Sequence, residues 1–311
     1  MAYNEPVYIK TIARGQLKEK IRQAWKILKS CILCPRECRV DRLSGETGIC
    51  KTGKNARVSS FNPHFGEESP LAGTNGSGTI FFTHCNLMCL FCQNYEISHH
   101  GYGEDVSLEQ LAKIMLILQD KGCHNINFVT PSHVVPQILS ALEIAVEKGL
   151  RIPLIYNTGS YDKVSTLKIL EDVFDIYMPD FKFWNPELAK KACDAQDYPE
   201  TARQALIEMH RQVGDLKINE SGIAEHGVLI RHLVLPDMLA GTPEIMKFIA
   251  EISTDSYVNI MPQYRPCGKA GQIKGLDAFL LESEYDMALK AARDQGILRL
   301  DKPHRIFRFV Y

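Results

Sequence analysis

The sequence predicts an α/β fold, a partial (β/α)6 TIM-like barrel with an N-terminal Cys-rich extension. Three observations carry that expectation. From Thr79 onward, short apolar runs of strand character alternate with amphipathic helical stretches. Polar or reactive residues follow each run, where α/β folds place their chemistry. Seven of the ten cysteines fall into two tight groups, one ahead of the repeat and one just after its first strand.

The strand candidates are GTIFFT (78–83), NINFVT (125–130), IPLIYN (152–157), FDIYMP (174–179), VLIRHLVL (228–235) and YVNIM (257–261). Between the first two, Ser107 and Gln110 form a capping box ahead of an apolar face of Leu108, Leu111, Ile114, Met115 and Leu118. Helices are also expected over 134–148, stopped by Gly149, and over 161–173, 186–213 with a break near Pro199, and 243–252. Strands alternating with helices give right-handed βαβ units and a parallel sheet. Upstream, residues 16–30 place Leu17, Ile21, Ala24, Trp25 and Leu28 on one helical face. Pro and Gly between 62 and 78 mark a boundary. The expected division is 1–75 for the N-terminal helix and Cys-rich metal-binding extension, 76–275 for the barrel, and 276–311 for a C-terminal helix and tail packing on it.

A chain of 311 residues, 45% hydrophobic and 23% charged, is large enough for a core without disulfide staples. Lys plus Arg total 36 against 37 Asp plus Glu, so no global field points to nucleic acid or membrane. No run approaches the roughly 18 apolar residues of a membrane span. The N-terminus lacks the apolar core of a signal peptide, so a reducing cytoplasm is expected. Clustered thiols there read as metal ligands or redox groups, and the scattered Cys123, Cys193 and Cys267 as small buried hydrophobes.

Cys85-x3-Cys89-x2-Cys92 is the sharpest motif. An iron–sulfur cubane normally takes four thiolates, so three in one loop leave one iron open to a substrate or cofactor. The alternative is a zinc knuckle borrowing a fourth ligand such as His84 or Cys267. The loop, with an aromatic residue before its last cysteine, resembles the radical S-adenosylmethionine (SAM) superfamily. THCNLMCLFCQNYEIS is similar to the activating enzymes of glycyl-radical enzymes, and above all to the pyruvate formate-lyase activating enzyme-like radical SAM proteins.

That resemblance implies an oxidoreductase. It would cleave SAM reductively at a 4Fe–4S cluster and abstract hydrogen through a 5′-deoxyadenosyl radical. An electron donor such as flavodoxin or ferredoxin is implied, with a glycyl-radical protein as a possible substrate. It also implies SAM contacts at successive strand ends. After the second strand, Thr130 and Ser132 stand where relatives carry glycines and an acid. After the third stand Asn157 and Thr158. After the fourth, Asp180 and Lys182 match a Met-x-Asp-x-Lys pattern, the aspartate beside a monovalent cation and the lysine at the SAM carboxylate. Arg231 matches the fifth-strand arginine, and Arg265 near the sixth strand offers a bidentate carboxylate contact. The alternative for Lys182 and Arg231 is a structural ion pair, and for Asp180 a helix cap. His84, His99, His100 and His133 are assigned no role.

The first group, Cys31-x2-Cys34-x3-Cys38-x11-Cys50, suits zinc or a second iron–sulfur cluster, the alternative being reduced structural or redox thiols. Its segment has few apolar residues to order it otherwise. Activating enzymes that carry extra clusters place those cysteines after the radical SAM loop, whereas these precede it. Three functions follow: glycyl-radical activation, radical modification of a small molecule or another macromolecule, and a non-catalytic metal-binding electron carrier.

Overall fold

The computed structural model describes residues 5–302. Helices α1 (Val7–Ala13) and α2 (Gln16–Ile27) precede strand β1 (Ala56–His64) and the one-turn α3 (Ser69–Ala72). The repeating part runs β2 (Ser77–Phe82), β3 (Glu104–Val106), α4 (Leu108–Asp120), β4 (Ile126–Val129), α5 (Val135–Glu147), β5 (Leu154–Thr158), α6 (Val164–Ile169) and β6 (Ile176–Pro179). It continues through α7 (Pro186–Cys193), α8 (Tyr198–Val213), β7 (Lys217–Ile218), β8 (Ala224–Leu233), α9 (Thr242–Ile252), β9 (Tyr257–Met261) and α10 (Glu282–Asp294).

The parallel core follows the order β2-β4-β5-β6-β8-β9. These are the six expected strands, in chain order, forming an open sheet as a partial barrel requires. Phe82, Phe128 and Phe174 meet inside it, the first two stacked at 6.3 Å and the second pair edge-on at 5.9 Å. The helices cover the sheet because each crossover must return the chain to a parallel start. α4 begins on the expected box: Ser107 Oγ accepts from Gln110 N at 3.2 Å, and Ser107 N donates to Gln110 Oε1 at 2.7 Å. Helix α2 buries Leu17 and Ala24, and the 3-10 turn that follows it, 28–30, buries Leu28. The helix docks on α5 by a Trp25 Nε1–H bond to Ser140 Oγ at 2.8 Å.

Several boundaries differ. β1 lies inside the segment expected to be the extension, yet it pairs antiparallel with β2 from Val58↔Phe82 to His64↔Ser77. The sheet therefore begins near residue 56. The strand escapes sequence reading because only Ala56 and Val58 are buried along it and Pro63 interrupts it. β3 and β7 are short antiparallel additions at the sheet margins. The helix expected over 161–173 contracts to α6, and the chain beyond it turns through a left-handed Asp172 (φ 59°). The expected helix over 186–213 splits at Asp194, also left-handed at φ 50°, and Pro199 sits in the first turn of α8. α10 packs against α9, and Leu300 bridges to Val258 of β9. The rest of the expected tail, 303–311, lies outside the described residues. Among the described residues no helix is long and apolar enough to cross a membrane.

Candidate active site

The carboxyl ends of the parallel strands surround a cavity of ≈ 430 Å³. Cys85, Cys89 and Cys92 form one side, on the loop that leaves β2. Thr130, Asn157, Thr158, Asp180, Lys182 and Arg231 line the rest. The backbone at these strand ends is unusual. His84, Met88, Thr130, Ser160 and Asp237 all hold positive φ, between 54° and 63°. Side chains other than glycine pay for that conformation, about 1–3 kcal/mol each, and Thr130 is β-branched. A hydrogen bond from Thr130 N to Asn157 O at 2.9 Å holds it there.

Asp180 is the electrostatic hub. Its Oδ2 accepts from Lys182 Nζ and its Oδ1 from Arg231 Nε, both at 2.6 Å. Arg231 Nη2 also donates to Asn157 Oδ1 at 2.8 Å, and its Nη1 lies 3.6 Å from Glu67 Oε2. Burial alone would raise the Asp180 carboxyl, but Arg231 and Lys182 outweigh it and hold the group below the usual carboxylate range. Burial likewise opposes the charges of Lys182 and Arg231, and Asp180 overrides it, raising both. All three are ionised at neutral pH. The ion-pair alternative for these residues is thus real, and it lies within the cavity wall. Asp180 caps no helix, since α7 is capped by Asn185. Both Asp180 oxygens are engaged by protein cations.

Backbone bonds fix this hub. Asp180 N donates to Thr158 O and Phe181 N to Arg231 O, each at 2.8 Å. Tyr198, from α8, donates its hydroxyl to Asp180 O at 3.0 Å and accepts from Lys182 N at 2.9 Å.

Two expected residues stand elsewhere. Ser132 is buried behind the cavity, its Oγ 3.1 Å from Thr158 Oγ1. Thr158 donates to the buried Asp162, which also accepts from Tyr156 OH at 2.9 Å. Ser132 therefore supports Thr158 instead of facing a ligand. Arg265 is exposed and outside the lining, because the turn after β9 points it to solvent. Cys267, the alternative knuckle ligand, is also outside the lining, whereas His84 is within it. Gly268, beside Cys267, has φ +54°, and a Cβ there would stand 2.3 Å from Tyr95 Cδ2 and 2.6 Å from Leu90 O. Only glycine lets this turn press on the cysteine loop.

Other residues enter that sequence reasoning missed. Glu67 reaches the cavity from the chain between β1 and α3. Burial, then the neighbouring Glu68, push its carboxyl up, and Arg231 opposes them. Cys193 of α7 stands 3.4 Å from Cys89, sulfur to sulfur. Arg36, between two cysteines of the first group, donates to Asn86 O at 2.9 Å, Leu87 O at 3.1 Å and Cys193 O at 2.6 Å. It thereby grips the carbonyls of the cysteine loop. No periodicity or spacing marks these contacts. The one available signal is an arginine inside a metal-type cysteine cluster.

The donor set fits a cluster. Three thiols on one loop share a cavity with two cations and several hydrogen-bonding groups. Burial pushes the Cys85 thiol up to about 12 and raises Cys92, and the Cys193 contact with burial raises Cys89. As neutral thiols they are inert at neutral pH, and a metal would draw off their protons. The family model of the Radical SAM superfamily matches residues 79–249. The chain belongs to the radical SAM superfamily, whose enzymes use a 4Fe–4S cluster and SAM. It is similar to the uncharacterized protein MJ0674 of Methanocaldococcus jannaschii, 31% identical over 303 residues, covering 95% of this chain and 82% of that protein.

Proposed function

We propose that Cys85, Cys89 and Cys92 hold the cluster and that the polar wall opposite them holds SAM. The observation that carries this is the single ≈ 430 Å³ cavity shared by all three thiols, Asp180, Lys182 and Arg231. Held there, a reduced 4Fe–4S cluster would supply the electron for reductive cleavage of SAM and so the radical chemistry by which the superfamily abstracts hydrogen. The chain's own residues bind, orient and exclude water. Lys182 and Arg231, which share the Asp180 carboxylate, are the cations in the cavity that would meet the SAM carboxylate. Relatives are expected to carry an acid for the SAM ammonium after the second strand. Here Glu67 supplies a carboxylate to the same cavity from the opposite direction along the chain. Thr130 and Thr158 offer hydroxyls to the rest of the cofactor. Arg36 and Gly268 hold the cysteine loop against the wall.

The cavity is at the small end of the roughly 300–1,000 Å³ range of ligand sites. SAM leaves little room beside it. That favours a substrate that inserts only its reacting group, such as a glycine on a loop of a partner protein, over a free small molecule. A flavodoxin- or ferredoxin-class donor would reduce the cluster. Ten unpaired cysteines suit a reducing compartment such as the cytoplasm.

The test is anaerobic reconstitution with iron and sulfide, then SAM and dithionite. 5′-Deoxyadenosine should form in the native protein and fall to background in Cys89→Ala. Equal product in both would remove the assignment. Deuterium transfer from an α-deuterated glycine protein into 5′-deoxyadenosine tests the substrate class, and labelling only by free small molecules would reject it.

A further inference from the structure

The chemistry ahead of the barrel is unused by the radical reaction. Between Ser30 and Ala56 the chain forms no helix or strand, yet it is ordered tightly enough to bury Cys31, Cys34, Leu33 and Cys50. Backbone bonds from Cys31 N to Val40 O and from Arg39 N to Cys31 O, each 2.9 Å, fold the first three cysteines onto one another. Cys38 packs on the backbone of Gly48, where a Cβ would come within 2.5 Å of its sulfur. All four cysteines line one cavity of ≈ 10 Å³.

Arg42 shares that lining and is 1% exposed. Its guanidinium donates to Gly53 O at 3.1 and 2.9 Å and to His133 O at 2.9 Å, and Nη1 lies 3.9 Å from Cys31 Sγ. No described carboxylate forms an ion pair with it. A buried cation without a counter-charge costs several kcal/mol. The groups beside it that can turn anionic are thiols. Four thiolates around a divalent ion carry a net charge of about −2, which would meet the guanidinium's need.

We propose that Cys31, Cys34, Cys38 and Cys50 hold one zinc-class divalent ion as a closed tetrathiolate, with Arg42 as its counter-charge. The cavity has room for about one water-sized sphere, which suits a single ion and not a cubane of iron and sulfide. Among the described residues no three thiol, imidazole or carboxylate groups already stand as a ligand set, so binding draws the sulfurs inward. The ion replaces the four S–H protons, which leave to solvent. The Cys31-x2-Cys34 and Cys34-x3-Cys38 spacings fall in the x2–4 range of close ligand pairs in structural zinc sites. The ion's role is positional. Arg36 reaches from this segment to the cysteine loop. Arg42 holds His133 O while the His133 ring donates Nε2–H to Thr83 O at 2.9 Å, just ahead of that loop.

Metal and sulfide analysis tests this in two preparations from medium containing both metals. The Cys85→Ala/Cys89→Ala/Cys92→Ala chain should carry about one zinc with iron and sulfide near background. The reconstituted native chain should carry about four irons and one zinc, and about eight irons would overturn the proposal. Iron with sulfide in the triple variant, or no metal and four titratable thiols, would also overturn it. Cobalt exchange should give the intense visible bands of a tetrahedral thiolate site. Arg42→Met should weaken zinc at least tenfold against a competing chelator. Unchanged affinity would remove the counter-charge. These counts do not depend on SAM cleavage, so the two proposals fail separately.

Discussion

Replacing Asp180 with asparagine keeps the shape of the hub and removes the negative charge that both cations share. Asp180, Lys182 and Arg231 are 14, 18 and 16% exposed at their side chains, so solvent screens them weakly. Each ion pair closes at 2.6 Å. At an effective dielectric near 20, a unit pair at about 4 Å is worth about 4 kcal/mol before desolvation. Asparagine can still accept from one cation, but its NH2 then faces the other. Two like charges remain in one wall. Breaking a buried pair from one side costs about 3–5 kcal/mol, and we expect Asp180→Asn to lose that much in denaturant unfolding. The backbone bonds around residue 180 are retained, so the loss isolates the side chain. The cofactor adds a second readout. If the freed cations face the SAM carboxylate, SAM should raise the unfolding midpoint of the variant more than that of the native protein. A loss below about 1 kcal/mol would show a solvent-screened hub. A full loss with no extra stabilisation by SAM would place the SAM carboxylate elsewhere.

Glu67→Gln should weaken SAM binding by about tenfold, measured by equilibrium dialysis on the reconstituted protein, and unchanged binding would separate Glu67 from the SAM ammonium. Gly268→Ala should fold but retain less cluster, read as iron per chain and absorbance near 400 nm, because a Cβ there meets Leu90 O and Tyr95; full iron loading would show that the turn yields freely. His232 is fully buried, with Nδ1–H donating to Phe181 O at 2.8 Å and Nε2 accepting from Thr242 Oγ1 at 2.9 Å. Burial lowers its pKa to about 4, well below the usual histidine range. The unfolded chain therefore binds the extra proton first, and stability should fall as pH drops through that window, by about 3 kcal/mol in full. His232→Gln should flatten that part of the pH–stability curve, and an unchanged slope would assign the acid sensitivity to other groups.

The six parallel strands were legible because a strand buried on both faces must be apolar throughout. IYMP and the LIY that opens β5 are such segments. The strand-end rule then located Thr130, Asn157 and Asp180 without any contact information, because parallel strands bring their carboxyl ends to one rim, whereas Arg231, inside β8, was marked only by the family resemblance. The rule names the residue after each strand, however, and not the direction of its side chain. Ser132 lies two positions past Thr130, beyond a left-handed turn, and that turn sends it behind the wall. Arg265 follows a strand that ends earlier, at Met261. β1 was hidden for the converse reason: a strand with one buried end and a part-exposed remainder has no alternation to detect.

Glu67 and Arg36 show where one-dimensional reading stops. Both precede the first parallel strand, in segments whose Gly, Pro and Cys content suggested a separate extension. β1 changes that geometry. Its antiparallel pairing with β2 runs from Val58↔Phe82 to His64↔Ser77, so β1 delivers the chain to the first residue of β2, and His64, Gly66 and Glu67 line the cavity from there. Residues just beyond His64 then have access to the cavity, and Glu67 occupies it. Arg36 is set by packing of the Cys-rich segment against Asn86 and Leu87, with its guanidinium 5.2 Å from the Tyr161 ring centre. A guanidinium with four carbonyl acceptors, Asn86 O and Leu87 O in the cysteine loop and Cys193 O and Asp194 O at the end of α7, fixes both at once. The upstream segment is thus a structural part of the active site, and whatever orders residues 31–50 also sets the position of Cys85 and Cys89.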